Sequence, residues 1–194
     1  MRNRPNQAVD KPARLTESVD RDEHIDAESF ETTLLTADHD IARFDSGEPE
    51  TDTWLARSAW RAQQQGSART RVLTRPGQRR VLGFYAVVPH DTHRAGLPSA
   101  AAGGLRVVPG YLIAQLAVDR SLQGRGMGAA LLLDALETIA AAARTVGGRL
   151  VVVDAVTDAV LRFYERYGFV RIGQTRRLYL KISRIESSLS NNRT

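Results

Sequence analysis

The chain has no cysteine. That excludes disulfides, thiolate metal sites and a cysteine nucleophile, and it suits a cytosolic protein. Lysine is almost as scarce: Lys11 and Lys181 are the only two, and every other basic side chain is arginine. No stretch of 18 apolar residues occurs, and the first residues lack the apolar core of a signal peptide. The small-apolar run around 129–143 is broken by Asp134, Glu137 and Thr138, so it reads as a helix in water. No His/Asp/Glu spacing resembles a metal site.

The 194 residues, 42% hydrophobic and 25% charged, suffice for one globular domain with loose ends. Charge is unevenly spread. Residues 1–40 hold five basic and ten acidic groups, whereas residues 41–194 hold 22 basic and 12 acidic groups. Residues 1–30 lack apolar periodicity and read as a disordered acidic arm. Residues 31–184 read as the domain, and 185–194 as a loose C-terminal tail. A body this basic attracts polyanions such as nucleic acid or a phosphate-rich ligand, although an arginine-rich solvated surface gives the same count.

Along the domain, 32–35 reads as a short strand and 49–65 as a helix. Residues 68–74 and 80–88 read as a hairpin around Pro76-Gly77. Residues 89–109 have no period and read as a long loop. The run 111–118 is continuously apolar and predicts a buried central strand, as does 149–156. Helices are predicted over 125–144 and 158–167, the second with Thr157 as N-cap and Gly168 as C-cap. Residues 176–182 close the sheet.

The most informative stretch is "LAVDRSLQGRGMGAALLLDAL", from Leu116 to Leu136. A strand runs into Gly124, Gly126 and Gly128 and then into a helix. The first N–H groups of a helix have no internal partners, and the helix dipole adds positive character there, so such an end binds anions. Glycines let a pyrophosphate approach the backbone, and Arg125 adds a charge-assisted contact. There is no Lys-Ser/Thr for a P-loop, and the spacing departs from the G-x-G-x-x-G of dinucleotide sites. Tight strand–helix packing is the plainer explanation of the same glycines.

Here the sequence resembles a known family. "QGRGMG" (123–128) is similar to the Q/R-x-x-G-x-G/A motif of the GNAT N-acetyltransferases, and "LAVDRS" before it resembles their fourth strand with its bulge. "AVLRFYERYGF" (159–169) resembles their tyrosine-bearing helix followed by Gly-Phe. The resemblance covers roughly residues 32–183. It implies the α/β (α+β) GNAT acyl-CoA N-acyltransferase fold, a central mixed, mostly antiparallel sheet flanked by helices. Upstream, Asp38-His39-Asp40, Phe44-Asp45-Ser46-Gly47 and Trp54-Leu55 resemble the N-terminal signature of GNAT toxins from type II toxin–antitoxin pairs. Ser46 stands where that subfamily has cysteine, and Gln115 where arginine is common. The subfamily resemblance implies acetylation of aminoacyl-tRNA and arrest of translation. It also implies a ribbon-helix-helix antitoxin, a homodimer, and a cytoplasmic location without membrane contact. A GNAT enzyme for a small amine or a protein N-terminus, and a non-catalytic acyl-CoA sensor, are the other readings.

On this resemblance, acetyl-CoA is the co-substrate and Leu116, Ala117 and Val118 hold it through the main chain. Gln123, Gly124, Arg125, Gly126, Met127, Gly128 and Ala129 wrap its pyrophosphate, with Met127 also a core filler. Tyr164 is the candidate general acid for the departing thiolate, and Tyr167 its competitor. Arg69 and Arg71, alternating on one face of a hairpin, are the first candidates for tRNA phosphates, and Arg176 and Arg177 the second. No general base is evident. An aminoacyl ester needs none before attack, because an α-amine with a pKa near ~7.7–8.0, lowered by the ester, is largely neutral at pH 7.

Overall fold

A computed structural model describes residues 30–191. The acidic arm therefore lies outside the described residues, as do the last three residues of the expected tail. Seven strands form one sheet in the order β1-β2-β3-β4-β5-β7-β6. They are β1 (Glu31–Leu34), β2 (Arg69–Thr74), β3 (Gly83–His93), β4 (Val107–Val118), β5 (Leu150–Asp154), β6 (Val170–Arg171) and β7 (Arg177–Lys181). All neighbours are antiparallel except β4 and β5. That parallel pair needs a crossover, and α4 (Met127–Val146) provides it.

β5 is apolar from Leu150 to Val153 because both its faces are covered there. Val151 and Val153 point into the main core with Leu131, Leu132, Leu136 and Ile139 of α4. Leu150 and Val152 point into a second core with Leu97, Ala101 and Ala102. A third core lies under α1 (Pro49–Trp54), a π-helical turn (Leu55–Ala59) and α2 (Trp60–Gln64). There Phe84 is met edge-on by Phe44 and stacked by Trp54. The upstream aromatic signature is thus a clamp on β3.

Two expectations are corrected. Residues 89–109 are not one loop: β3 and β4 stay paired as far as His93 opposite Val107, and α3 (Ser99–Ala102) lies between them. β2 ends opposite Val87, so Pro89 sits where β3 has become an edge and a missing N–H is tolerated. Nor are residues 185–191 loose. They belong to α6 (Ile182–Asn191), whose Ile185 is buried and whose Leu189 packs on the main core.

The feature that makes a site is the parting of β4 from β5. Pairing begins at Gly110, where a Cβ would stand 2.1 Å from the Leu150 carbonyl oxygen, and ends at Ile113 opposite Val153. One residue later β4 bulges: Ala86 faces Gln115 and Val87 faces Ile113, leaving Ala114 extra. The bulge therefore lies at Ala114, upstream of the "LAVDRS" segment where it was expected. A bulge bends its strand and ends pairing, so β4 from Ala114 to Val118 has β3 on one side and, among the described residues, no strand on the other.

Candidate active site

The gap between β4 and β5 is a cleft of about 430 Å³. One wall is β4 from Ile113 to Val118; another is Gln123, Gly124, Gly126, Met127 and Gly128. Ser46, Glu48 and Thr51 form a lip, and Asp154, Val156, Thr157, Val160 and Tyr164 complete the lining. The fold thus brings together Leu116, Ala117, Val118, most of the glycine loop and Tyr164. Arg125, exposed in the loop, and Ala129, in the first turn of α4, lie beside the lining.

The loop is held at both ends. Asp119 is 4% exposed and accepts from the Ser121 hydroxyl (2.6 Å) and the Ser121 and Asp45 N–H groups. Burial alone pushes its carboxyl up, but those bonds and the Arg80 charge outweigh it and hold the carboxyl below the usual range. The Gln123 amide donates to the carbonyls of Val118 (2.9 Å) and Ser46 (2.8 Å). Its side chain fastens the loop to β4 and to the lip rather than reaching for a ligand. The Ser46 hydroxyl donates to Asp52 at 2.6 Å and secures the start of α1.

Gly124 and Gly126 have φ of 74° and 76°, and Gly126 is the N-cap of α4. Only glycine takes this backbone without strain. A Cβ added at Gly124, Gly126 or Gly128 would meet nothing within 4 Å. Packing therefore does not demand these glycines, and tight strand–helix contact is not their reason. They leave a bare, N–H-rich cradle at a helix N-terminus, which fits a pyrophosphate.

Tyr164 is on α5 (Asp158–Arg166), which Thr157 caps by accepting from the Val160 N–H. Gly168 ends the turn at φ 82°. The Tyr164 ring packs against Phe163 and Phe169. Its hydroxyl has no hydrogen-bond partner among the described residues, and the residue lines the cleft. Burial, then the charge of Asp154, pushes the phenol up to about 12. Tyr167 is equally buried but packs in the core, outside the cleft lining.

The basic candidates divide. Arg69 is exposed, with Nη1 bonded to the carbonyls of Gln63 and Ala68. Arg71 turns inward, donating to the Thr32 carbonyl at 2.8 Å and lying 3.6 Å from Asp134. Asp134 also accepts from Tyr85 and Thr32. Arg176 pairs with Asp158 at 2.9 Å, and Arg177 holds Asp154 at 2.7 Å. His39 braces its own loop through Thr36. Sequence reasoning passed over Asp154; its signal is the single acid that closes the apolar strand "LVVVD".

Residues 71–171 match the model of the acetyltransferase (GNAT) domain, and the chain belongs to that family. It is 38% identical over 144 residues to the tRNA-acetylating toxin of Mycobacterium tuberculosis, covering 74% of this chain and 85% of that one. Its fold is similar to that of AtaT complexed with acetyl-methionyl-tRNAfMet, with a TM-score of 0.76, 30% identity and coverage of 82% and 99% of the two chains. It is also similar to a tyrosine-to-phenylalanine variant of AtaT bound to the C-terminus of the antitoxin AtaR and acetyl-CoA. There the TM-score is 0.74 and the identity 28%, over 84% of this chain and 99% of the other.

Proposed function

We propose that the chain transfers the acetyl group of acetyl-CoA to the α-amine of aminoacyl-tRNA, as the toxin of a toxin–antitoxin pair. One observation carries this reading: the glycine cradle, the unpaired edge of β4 and Tyr164 line a single cleft. The relatives named above add the nature of the acceptor.

The chain's own groups divide the work. N–H groups of Gly124, Arg125, Gly126, Met127 and Gly128 receive the pyrophosphate, with the α4 dipole behind them, whereas the Ala129 N–H donates to the Gly126 carbonyl at 3.0 Å and only closes the first turn. The free edge of β4, where Leu116 and Val118 turn their main-chain groups outward while those of Ala117 face Phe84 of β3, pairs with the pantetheine amides and aims N–H groups at the thioester oxygen, where charge develops on attack. Gln123 keeps the end of β4, the loop and the Ser46 lip in fixed relation. Tyr164 stays protonated at neutral pH and gives its proton to the leaving sulfur. Arg69 tracks tRNA phosphate from the hairpin face. A ribbon-helix-helix antitoxin, a second copy of the chain and a cytoplasmic setting belong to the same reading.

The test is labelled acetyl-CoA with charged and deacylated tRNA, for the wild type and Tyr164→Phe. Label on charged tRNA only, and a sharp fall in the variant, are expected. Label on small amines or peptides instead would move the acceptor to a different class.

A further inference from the structure

Asp154 closes β5, one residue past the last β4–β5 pair, and lines the cleft with Tyr164, with Glu48 on the lip. Its position is fixed by the sheet. It lies opposite Arg177 in the β5–β7 register, and the guanidinium grips it at both ends: Nε donates to Oδ1 and Nη2 to Oδ2, each at 2.7 Å. A planar fork of this kind sets the carboxylate plane as well as its place. The grip uses two of about four acceptor positions on the carboxylate. The side chain remains 51% exposed. Two neighbouring charges do not compete for it: Arg176 is taken by Asp158, and burial, then the Arg177 charge, lowers the basicity of His90. Both side chains are open to solvent, where salt screens their attraction, and the fork leaves an oriented anion beside the reacting phenol.

We propose that Asp154 holds the acceptor amine by a hydrogen bond and takes its proton as the amide forms, with Arg177 as the positioning residue. This rests on the acetyltransferase reading above and adds the missing proton acceptor. The amine nitrogen bonds to the thioester carbonyl carbon and, newly positive, becomes a strong acid. One N–H proton passes to Asp154. The C–S bond breaks, and the sulfur leaves with the electron pair and takes the proton of Tyr164. The proton on Asp154 returns through solvent to the Tyr164 phenolate. The products are the amide and the free thiol, and both side chains are restored.

The experiment uses the full chain. The wild type is first offered charged tRNA, an amino-acid ester and a short peptide, which shows which amine accepts the acetyl group. Asp154→Ala, Asp154→Asn and Arg177→Lys are then assayed with that amine, and acetyl-CoA binding is measured by calorimetry. Asp154→Ala is expected to lose about 100-fold or more in kcat, the scale of a lost acid–base group. Its acetyl-CoA affinity should be unchanged. Formate should restore part of the lost rate, and chloride at the same ionic strength should not. Asp154→Asn should lose rate without losing acetyl-CoA, and Arg177→Lys, which keeps the charge but not the fork, should fall between. A rate retained within about threefold, too small for such a group, would overturn the proposal. So would a loss shared by acetyl-CoA binding, or one that formate does not relieve. If the wild type labels an amine other than charged tRNA, the toxin reading fails while Asp154 is still tested on that amine. If it labels none, both fall.

Discussion

Tyr164 joins two properties that a single substitution separates. Its ring is part of the core, while its hydroxyl has no hydrogen-bond partner among the described residues and the residue lines the cleft. Tyr164→Phe should therefore keep the fold and lose about 10²–10⁴ in kcat, with acetyl-CoA binding unchanged by calorimetry. Tyr164→Ala should in addition cost about 3–5 kcal/mol in urea unfolding, because the ring is lost too. Tyr167→Phe should leave the rate unchanged. The raised phenol gives a second check. The folded chain holds this proton until about pH 12, whereas the unfolded chain releases it near the ordinary value of 10.0. Below the unfolded value, both states carry the proton and stability does not change. Between the two values, the folded state binds more protons, so stability falls as pH rises. Unfolding curves of the wild type and Tyr164→Phe should thus run parallel below that window and converge or cross within it. Parallel curves throughout would place the phenol in water.

The glycine loop and α6 show how far an element could be read from its letters. Gly128 lies in the first turn of α4 with open space where a Cβ would go. Gly128→Ala should raise the melting temperature slightly, as alanine favours helix by up to about 1 kcal/mol. The same substitution should weaken acetyl-CoA binding, measured by calorimetry, because the methyl group enters the cradle. Stability and affinity moving in opposite directions is the signature of a residue kept for a ligand. The glycine run, the apolar β5 and the capped tyrosine helix were all legible because their determinants are local: positive φ, continuous burial, a Thr cap. What escaped depends on partners distant in the chain. The paired 89–93 stretch becomes strand only through β4, and Asp154 gains its orientation only from Arg177, opposite it across the sheet. Likewise α6 holds only by docking Ile185 and Leu189 on the main core. Ile185→Ala should cost about 2–5 kcal/mol in urea unfolding, where a loose tail would cost nothing.

At the scale of the whole molecule, the count of arginines overstates the surface available to tRNA. Residues 41–194 are strongly basic, yet Arg71, Arg176 and Arg177 are each turned onto a carboxylate of the chain itself. A guanidinium already neutralised releases no counterion when a phosphate arrives, and counterion release is what makes affinity depend on salt. Arg69 and Arg71 allow a clean comparison, since they lie two residues apart on one strand. Arg69 is exposed, while Arg71 points to Thr32 and Asp134. Binding of charged tRNA, titrated over a range of salt, should lose about one unit of slope in Arg69→Ala, as for one phosphate contact. Arg71→Ala should keep the wild-type slope and instead lower stability by about 1.5–3 kcal/mol, the scale of a charged hydrogen bond. Equal losses of slope in both variants would mean that Arg71 leaves Asp134 for the nucleic acid, and the half-buried Tyr85–Asp134 bond would then have to hold α4 to the sheet without it.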